Sequence, residues 1–106
     1  MKIDGGVCAP KGFKAGAAMA NIKKTDKYDV AIIASEVDAQ AAGVFTTNRV
    51  KAAPVIYSKQ ATSGEAVKAI VVNSGNANAC TGEQGMIDCL MMAEVAASAL
   101  GTSADK

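Results

Sequence analysis

The chain has 106 residues, half of them hydrophobic, and eleven basic against ten acidic side chains leave a net charge of +1. A chain of that length is expected to form a single domain over residues 1–106, since dividing it would leave each half short of buried apolar surface. The balanced charge lacks the basic stripe that phosphate-backbone binding requires, so no nucleic acid is expected, and no window approaches the roughly 20 apolar residues of a membrane span.

The start, "MKIDGGVCAPKG", has no apolar run long enough for a signal peptide, and the chain reads as soluble and cytoplasmic. Residues 11–24, "KGFKAGAAMANIKK", carry two signals. Their alanines favour helix, while Gly12, Gly16 and the alternation Phe13, Ala15, Ala17, Met19 favour strand, and we read a strand. Four further runs, Val30 to Ser35, Ala42 to Thr47, Pro54 to Ser58 and Ala69 to Asn73, are short, rich in β-branched residues and separated by polar or glycine-bearing stretches, which predicts a sheet. Between the last two, "KQATSGEAVK" reads as a surface loop with about one helical turn. The clearest element is a helix from Glu83 to Leu100. Thr81 and Gln84 have capping-box spacing, Glu83 puts negative charge at the positive end of the dipole, and Gly101 falls where a left-handed cap belongs. Met86, Leu90, Ala93, Ala97 and Leu100 form the stripe expected to be buried, with only a thin polar line left over, so cover on more than one side is expected. The expected fold class is therefore α/β, a layered sheet and helix. Only Phe13, Phe45, Tyr28 and Tyr57 are aromatic, which predicts a core of small side chains.

The absence of histidine removes the usual general base near neutral pH, along with the Ser-His-Asp and Cys-His arrangements. Three cysteines, Cys8, Cys80 and Cys89, without a secretion signal predict reduced thiols, and the lack of any CxxC argues against zinc. Cys80 precedes a helix N-terminus, where the dipole lowers a thiol's pKa, although a small buried cysteine is the commoner case. Asp29, Glu36 and Asp38 flank one strand as a candidate acid and base set, and charged residues there are more often solvated punctuation. Met86, Met91 and Met92 are read as core, and Arg49, the sole arginine, as an exposed turn residue rather than a carboxylate clamp.

The richest stretch is residues 71–82, "VVNSGNANACTG", with three asparagines, two glycines and two hydroxyls between a strand and a helix. A turn needs one or two such residues. The loop is either ligand-facing or bonded to itself, and it matches neither the Walker pattern nor GxGxxG.

With "GVCAPKGFKA" and "AAGVFTTNRVKAAPV", the stretch "AIVVNSGNANACTGEQG" resembles the N-terminal part of the ornithine acetyltransferase family, the bifunctional glutamate N-acetyltransferases of arginine biosynthesis. The similarity runs from Gly6 to about Gly101. It implies part of an enzyme that moves acetyl from N-acetylornithine to glutamate, with acetyl-CoA as a further substrate of some members and no cofactor. The resemblance also implies a precursor that cleaves itself before an acetyl-carrying threonine, and a fold related to self-cleaving aminopeptidases. The family's oxyanion Thr-Gly lies in an "STG" segment, which this chain lacks, together with any Ala-Thr-Met-Leu-like cleavage motif. Thr81-Gly82 and Ala61-Thr62 match neither, so no catalytic residue is carried over. The implied partners are the rest of the alpha chain, the self-cleaved beta chain and small-molecule substrates, assembling further. This chain alone is expected to be inactive. Asn73, Asn76 and Asn78 are the candidate site residues, either bracing an oxyanion loop or lining the substrate pocket. The rival readings are a non-enzymatic association or ligand-binding module, and an acyl-transfer or peptidase relative of the same fold.

Overall fold

The computed structural model describes residues 2–22 and 26–106. Its elements are a 3-10 turn at Gly6–Cys8, strands β1 (Phe13–Ala18) and β2 (Val30–Ala39), helix α1 (Ala53–Thr62), strand β3 (Val67–Asn73) and helix α2 (Gly82–Leu100). The fold is mixed α/β, with a three-stranded sheet in the order β1-β2-β3. The chain divides into two compact units, Met1–Ala39 with Lys68–Asn76, and Gln40–Val67 with Ala77–Lys106.

The first unit is built on the sheet. β2 is β-branched in its first half, and β1 runs antiparallel to it in the register Phe13↔Ser35 through Ala18↔Val30. β1 itself, FKAGAA, is a poor strand former by composition, so pairing rather than propensity sets it. The strand expected over residues 11–24 is thus confined to 13–18, and residues 23 and 24 lie outside the described residues. β2 extends four residues past the expected Ser35. Two bonds tie β3 along β2: Ser74 N donates to the Asp29 carbonyl (2.8 Å) and Lys68 Nζ donates to the Glu36 carbonyl (2.8 Å). They set the end of β3 beside the start of β2.

The second unit is built on the two helices. The expected strand Pro54 to Ser58 is instead part of α1, and the expected loop after it begins only once that helix ends. Pro54 sits in the first turn, where its missing N–H costs nothing and its fixed φ suits a helix, and Ala52 precedes it in extended backbone. Thr62 Oγ1 and Ser63 Oγ close the far end on the carbonyls of Ser58 (2.8 Å) and Gln60 (2.7 Å). The expected strand Ala42 to Thr47 is irregular, and no strand among the described residues pairs with it. Its backbone turns on local side chains instead: Asn48 N donates to Thr46 Oγ1 (3.2 Å) and Val50 N to Asn48 Oδ1 (3.0 Å).

α2 matches the expected helix, and Gly101 caps it at φ 67. The N–H groups of Gly101 and Thr102 return to Ser98 (3.2 Å) and Ala97 (2.9 Å), the paired bonds of a Schellman cap. The buried stripe is rotated from the expected one and consists of Gly85, Cys89, Ala93, Ala96 and Ala97. Leu90 (41% exposed) and Met91 (57%) face solvent instead. Small side chains make the closer helix approach, so alanine rather than leucine occupies the seam with α1, where Ala53 is buried. Tyr57, one turn on, donates its hydroxyl to the Ala104 carbonyl. Burial, then the nearby Cys89 and Asp105, push the Tyr57 phenol up from its ordinary value, and burial does the same to the Cys89 thiol.

Candidate functional site

The asparagine-rich loop leaves β3 in the first unit and enters α2 in the second, and its two halves are held by different means. In the first half, Asn73 ends β3 and donates its side-chain amide to the Asn76 carbonyl (2.9 Å), closing a turn over Ser74 and Gly75. Gly75 stands at φ 98, a conformation open to glycine and costly to most side chains.

The root of this turn is fixed by Asp29, whose side chain is 4% exposed. Its carboxylate accepts from the backbone amides of Ala20 (2.6 Å) and Ile22 (2.8 Å), and its own N–H donates to the Ala18 carbonyl (3.1 Å). Its carbonyl in turn takes the Ser74 amide. One residue thereby joins the exit of β1, the start of β2 and the exit of β3. Asp29 is structural in this arrangement. Glu36 is exposed and meets Lys14 at 3.0 Å.

In the second half, Asn78 spans the start of α2. Its Nδ2 donates to the Gly85 carbonyl (2.6 Å), and its Oδ1 accepts from Thr81 Oγ1. The expected capping box is absent: Thr81 stands at φ −105, ψ 3, outside the extended backbone usual for a cap, and makes no side-chain cap bond, while its hydroxyl donates to Asn78 Oδ1. Gln84 reaches forward to Asp88 Oδ1 (2.8 Å) instead of back to Thr81. Gly85 makes this possible. A β-carbon there would lie 2.6 Å from Thr81 Cβ and overlap both Thr81 Oγ1 and Asn78 Oδ1. Cys80 takes φ 56, unusual for a side-chain-bearing residue, and is exposed rather than buried; Cys89 is the buried thiol, and all three cysteines are free.

The three candidate asparagines therefore differ. Asn73 and Asn78 spend their amides on loop and helix backbone, whereas no hydrogen bond among the described residues engages the exposed Asn76 side chain. Of the three, Asn76 is the one whose side chain makes none of these bonds. Arg49 is an exposed bend residue, and of the core-assigned methionines Met91 is exposed while Met86 and Met92 are half-buried. Among the described residues no group of three or more His, Cys, Asp or Glu is placed to hold a metal, and no helix is long and apolar enough to cross a membrane. The bracing role of Asp29, which the sequence offered only as a candidate acid or base, and the place of Gly85 escaped the reading of the sequence. A glycine inside a strong helix pattern was the available signal for Gly85.

A relative from Symbiobacterium thermophilum, an arginine biosynthesis bifunctional protein ArgJ, is 58% identical over 93% of this chain and 25% of its own length. The corresponding protein of Gloeobacter violaceus is 54% identical over 98% of this chain and 26% of its own. Among solved structures, the ornithine acetyltransferase of Mycobacterium tuberculosis, complexed with ornithine, superposes with a TM-score of 0.89 at 44% identity, over 93% of this chain and 54% of that one. An equal share of this chain fills 25% of the Symbiobacterium protein and 54% of the Mycobacterium chain, so that solved chain is about half as long. The present chain spans about a quarter of the length of the curated relatives it matches. The ArgJ family profile matches residues 14–106, and the chain belongs to the ArgJ family.

Proposed function

We propose that this segment is part of a cytoplasmic acetyltransferase of arginine biosynthesis that moves acetyl from N-acetylornithine to glutamate with no bound cofactor. The observation that carries the reading is the likeness, over nearly the whole chain, to an ornithine acetyltransferase solved with ornithine. The half-length solved chain fits an enzyme made as one polypeptide and cut into two, in which a new terminal amine replaces the missing histidine as base. This segment supplies no nucleophile. Its contribution is the asparagine loop, which braces the neighbouring oxyanion donors through Asn73 and Asn78 and presents Asn76 outward. Support for bracing comes from the bonds those two side chains make to backbone, since groups held by their surroundings place a catalytic donor better than mobile ones.

The test is acetyl transfer from N-acetyl-L-ornithine to glutamate by a full-length ArgJ protein carrying this segment, with the 106-residue chain assayed in parallel. Turnover is expected from the first and none from the second. Failure of the full-length protein to transfer acetyl overturns the reaction, and turnover by the short chain overturns its dependence on the remainder.

A further inference from the structure

α2 carries two apolar faces. The one at Gly85, Cys89, Ala93, Ala96 and Ala97 is buried. The other holds Ile87, Leu90, Met91 and Val95, which are 52%, 41%, 57% and 66% exposed. At 3.6 residues per turn these four fall within an arc of roughly 140°, and the exposed Glu94 lies inside it. A helix apolar nearly all round belongs in an interior.

Such a face calls for an apolar occupant, and about three quarters of the length of the matched ArgJ relatives lies outside this segment. A second copy of the same face is a poor candidate. Two-fold pairing would bring two Glu94 carboxylates into one dry seam, and like charges there are costly. We propose that the face formed by Ile87, Leu90, Met91 and Val95 is a permanent interface with the remainder of the ArgJ polypeptide, cleaved or intact. The opposing surface is apolar and brings one cation or hydrogen-bond donor to Glu94, because a buried carboxylate without a partner is strongly disfavoured. The inference rests on family membership and chain length, not on the acetyl-transfer reaction, so either can fail without the other.

Peroxide oxidation of Met91, followed by peptide mass spectrometry in a full-length ArgJ protein carrying this segment, tests it without any substitution. Met91 is expected to oxidise at least about tenfold more slowly in the native protein than in the same protein unfolded in guanidinium. An equal rate overturns the proposal. So does protection that vanishes when the protein is diluted to single copies, which would assign the cover to a second copy. Glu94→Gln is expected to lower the thermal midpoint, and an unchanged midpoint overturns the partner group opposite Glu94.

Discussion

Replacing Gly85 by alanine sets two effects of opposite sign against each other. Inside a helix alanine is better than glycine by about 1 kcal/mol, and Gly85 has no positive φ to forbid the change. Against that gain, the new methyl lies 2.6 Å from Thr81 Cβ and overlaps Thr81 Oγ1 and Asn78 Oδ1. Rotating the two side chains away gives up the Asn78 bond to the Gly85 carbonyl and the Thr81 bond to Asn78, at about 1 kcal/mol each. Rotation does not move Thr81 Cβ, so the backbone at the helix start must shift as well, which costs a further 1–3 kcal/mol or so. The losses exceed the propensity gain, and Gly85→Ala is expected to destabilise by about 2–4 kcal/mol. The assay is urea unfolding of a full-length ArgJ protein carrying this segment. Thr81→Gly in the same background removes both the methyne carbon and the hydroxyl from the overlap. The double variant should therefore be more stable than the sum of the single losses by about 1 kcal/mol or more. A neutral or stabilising Gly85→Ala, or strict additivity with Thr81→Gly, would refute the reasoning.

Asp29→Asn keeps one acceptor and turns a carboxamide NH2 donor toward the other backbone amide, so it is expected to cost about 1–3 kcal/mol in urea unfolding; a change under about 0.5 kcal/mol would show that Ala20 and Ile22 do not depend on the carboxylate. Tyr57 and Cys89 both hold their protons more tightly folded than their ordinary values of 10.0 and 9.0. Their contribution is complete below those values and is lost as pH rises through the folded ones, so stability should fall from about pH 9 upward and fall less steeply in Tyr57→Phe; a slope unchanged by that substitution counts against the assignment. In acetyl-transfer kinetics Asn78→Ala should lower kcat with little change in KM, as expected when transition-state placement suffers. Identical effects of Asn76→Ala and Asn78→Ala would erase the distinction between them.

The parts of the fold that were legible in the sequence are those whose signals are long or chemically specific. The Glu83 to Leu100 pattern covers five turns and ends on a glycine, and the structure places α2 at Gly82–Leu100 with Gly101 as its cap. β2 and β3 follow from runs of β-branched residues. α1 failed because Pro54 to Ser58 is five residues, too short to separate a period of 2 from one of 3.6, and Val55, Ile56 and Tyr57 all favour strand by composition. Pro54 was the better witness, as a residue suited to a first helical turn. Residues 42–47 have strand composition, but a strand exists only through a partner, and none among the described residues supplies one. At Thr81 the capping-box spacing was satisfied, but the backbone there is not extended and the side chain is turned to Asn78, an orientation that spacing does not reveal.

The loop illustrates why several amides stand where one or two would make a turn. Asn73 closes a turn that Gly75 permits, and Asp29 pins that turn at Ser74 through a carbonyl whose own position depends on the Ala20 and Ile22 bonds. Asn78 then locks the start of α2, using the space that Gly85 leaves empty and the hydroxyl of Thr81. Two asparagines thus fix the flanks, and no hydrogen bond among the described residues engages the side chain of Asn76 between them. Rigid flanks lower the entropy lost when an exposed group engages a ligand or a neighbouring loop. The loop therefore holds itself through Asn73 and Asn78, which accounts for more amides than a plain turn needs, and the Asn76 carboxamide is the part that the proposed contact with a ligand or a neighbouring segment would use.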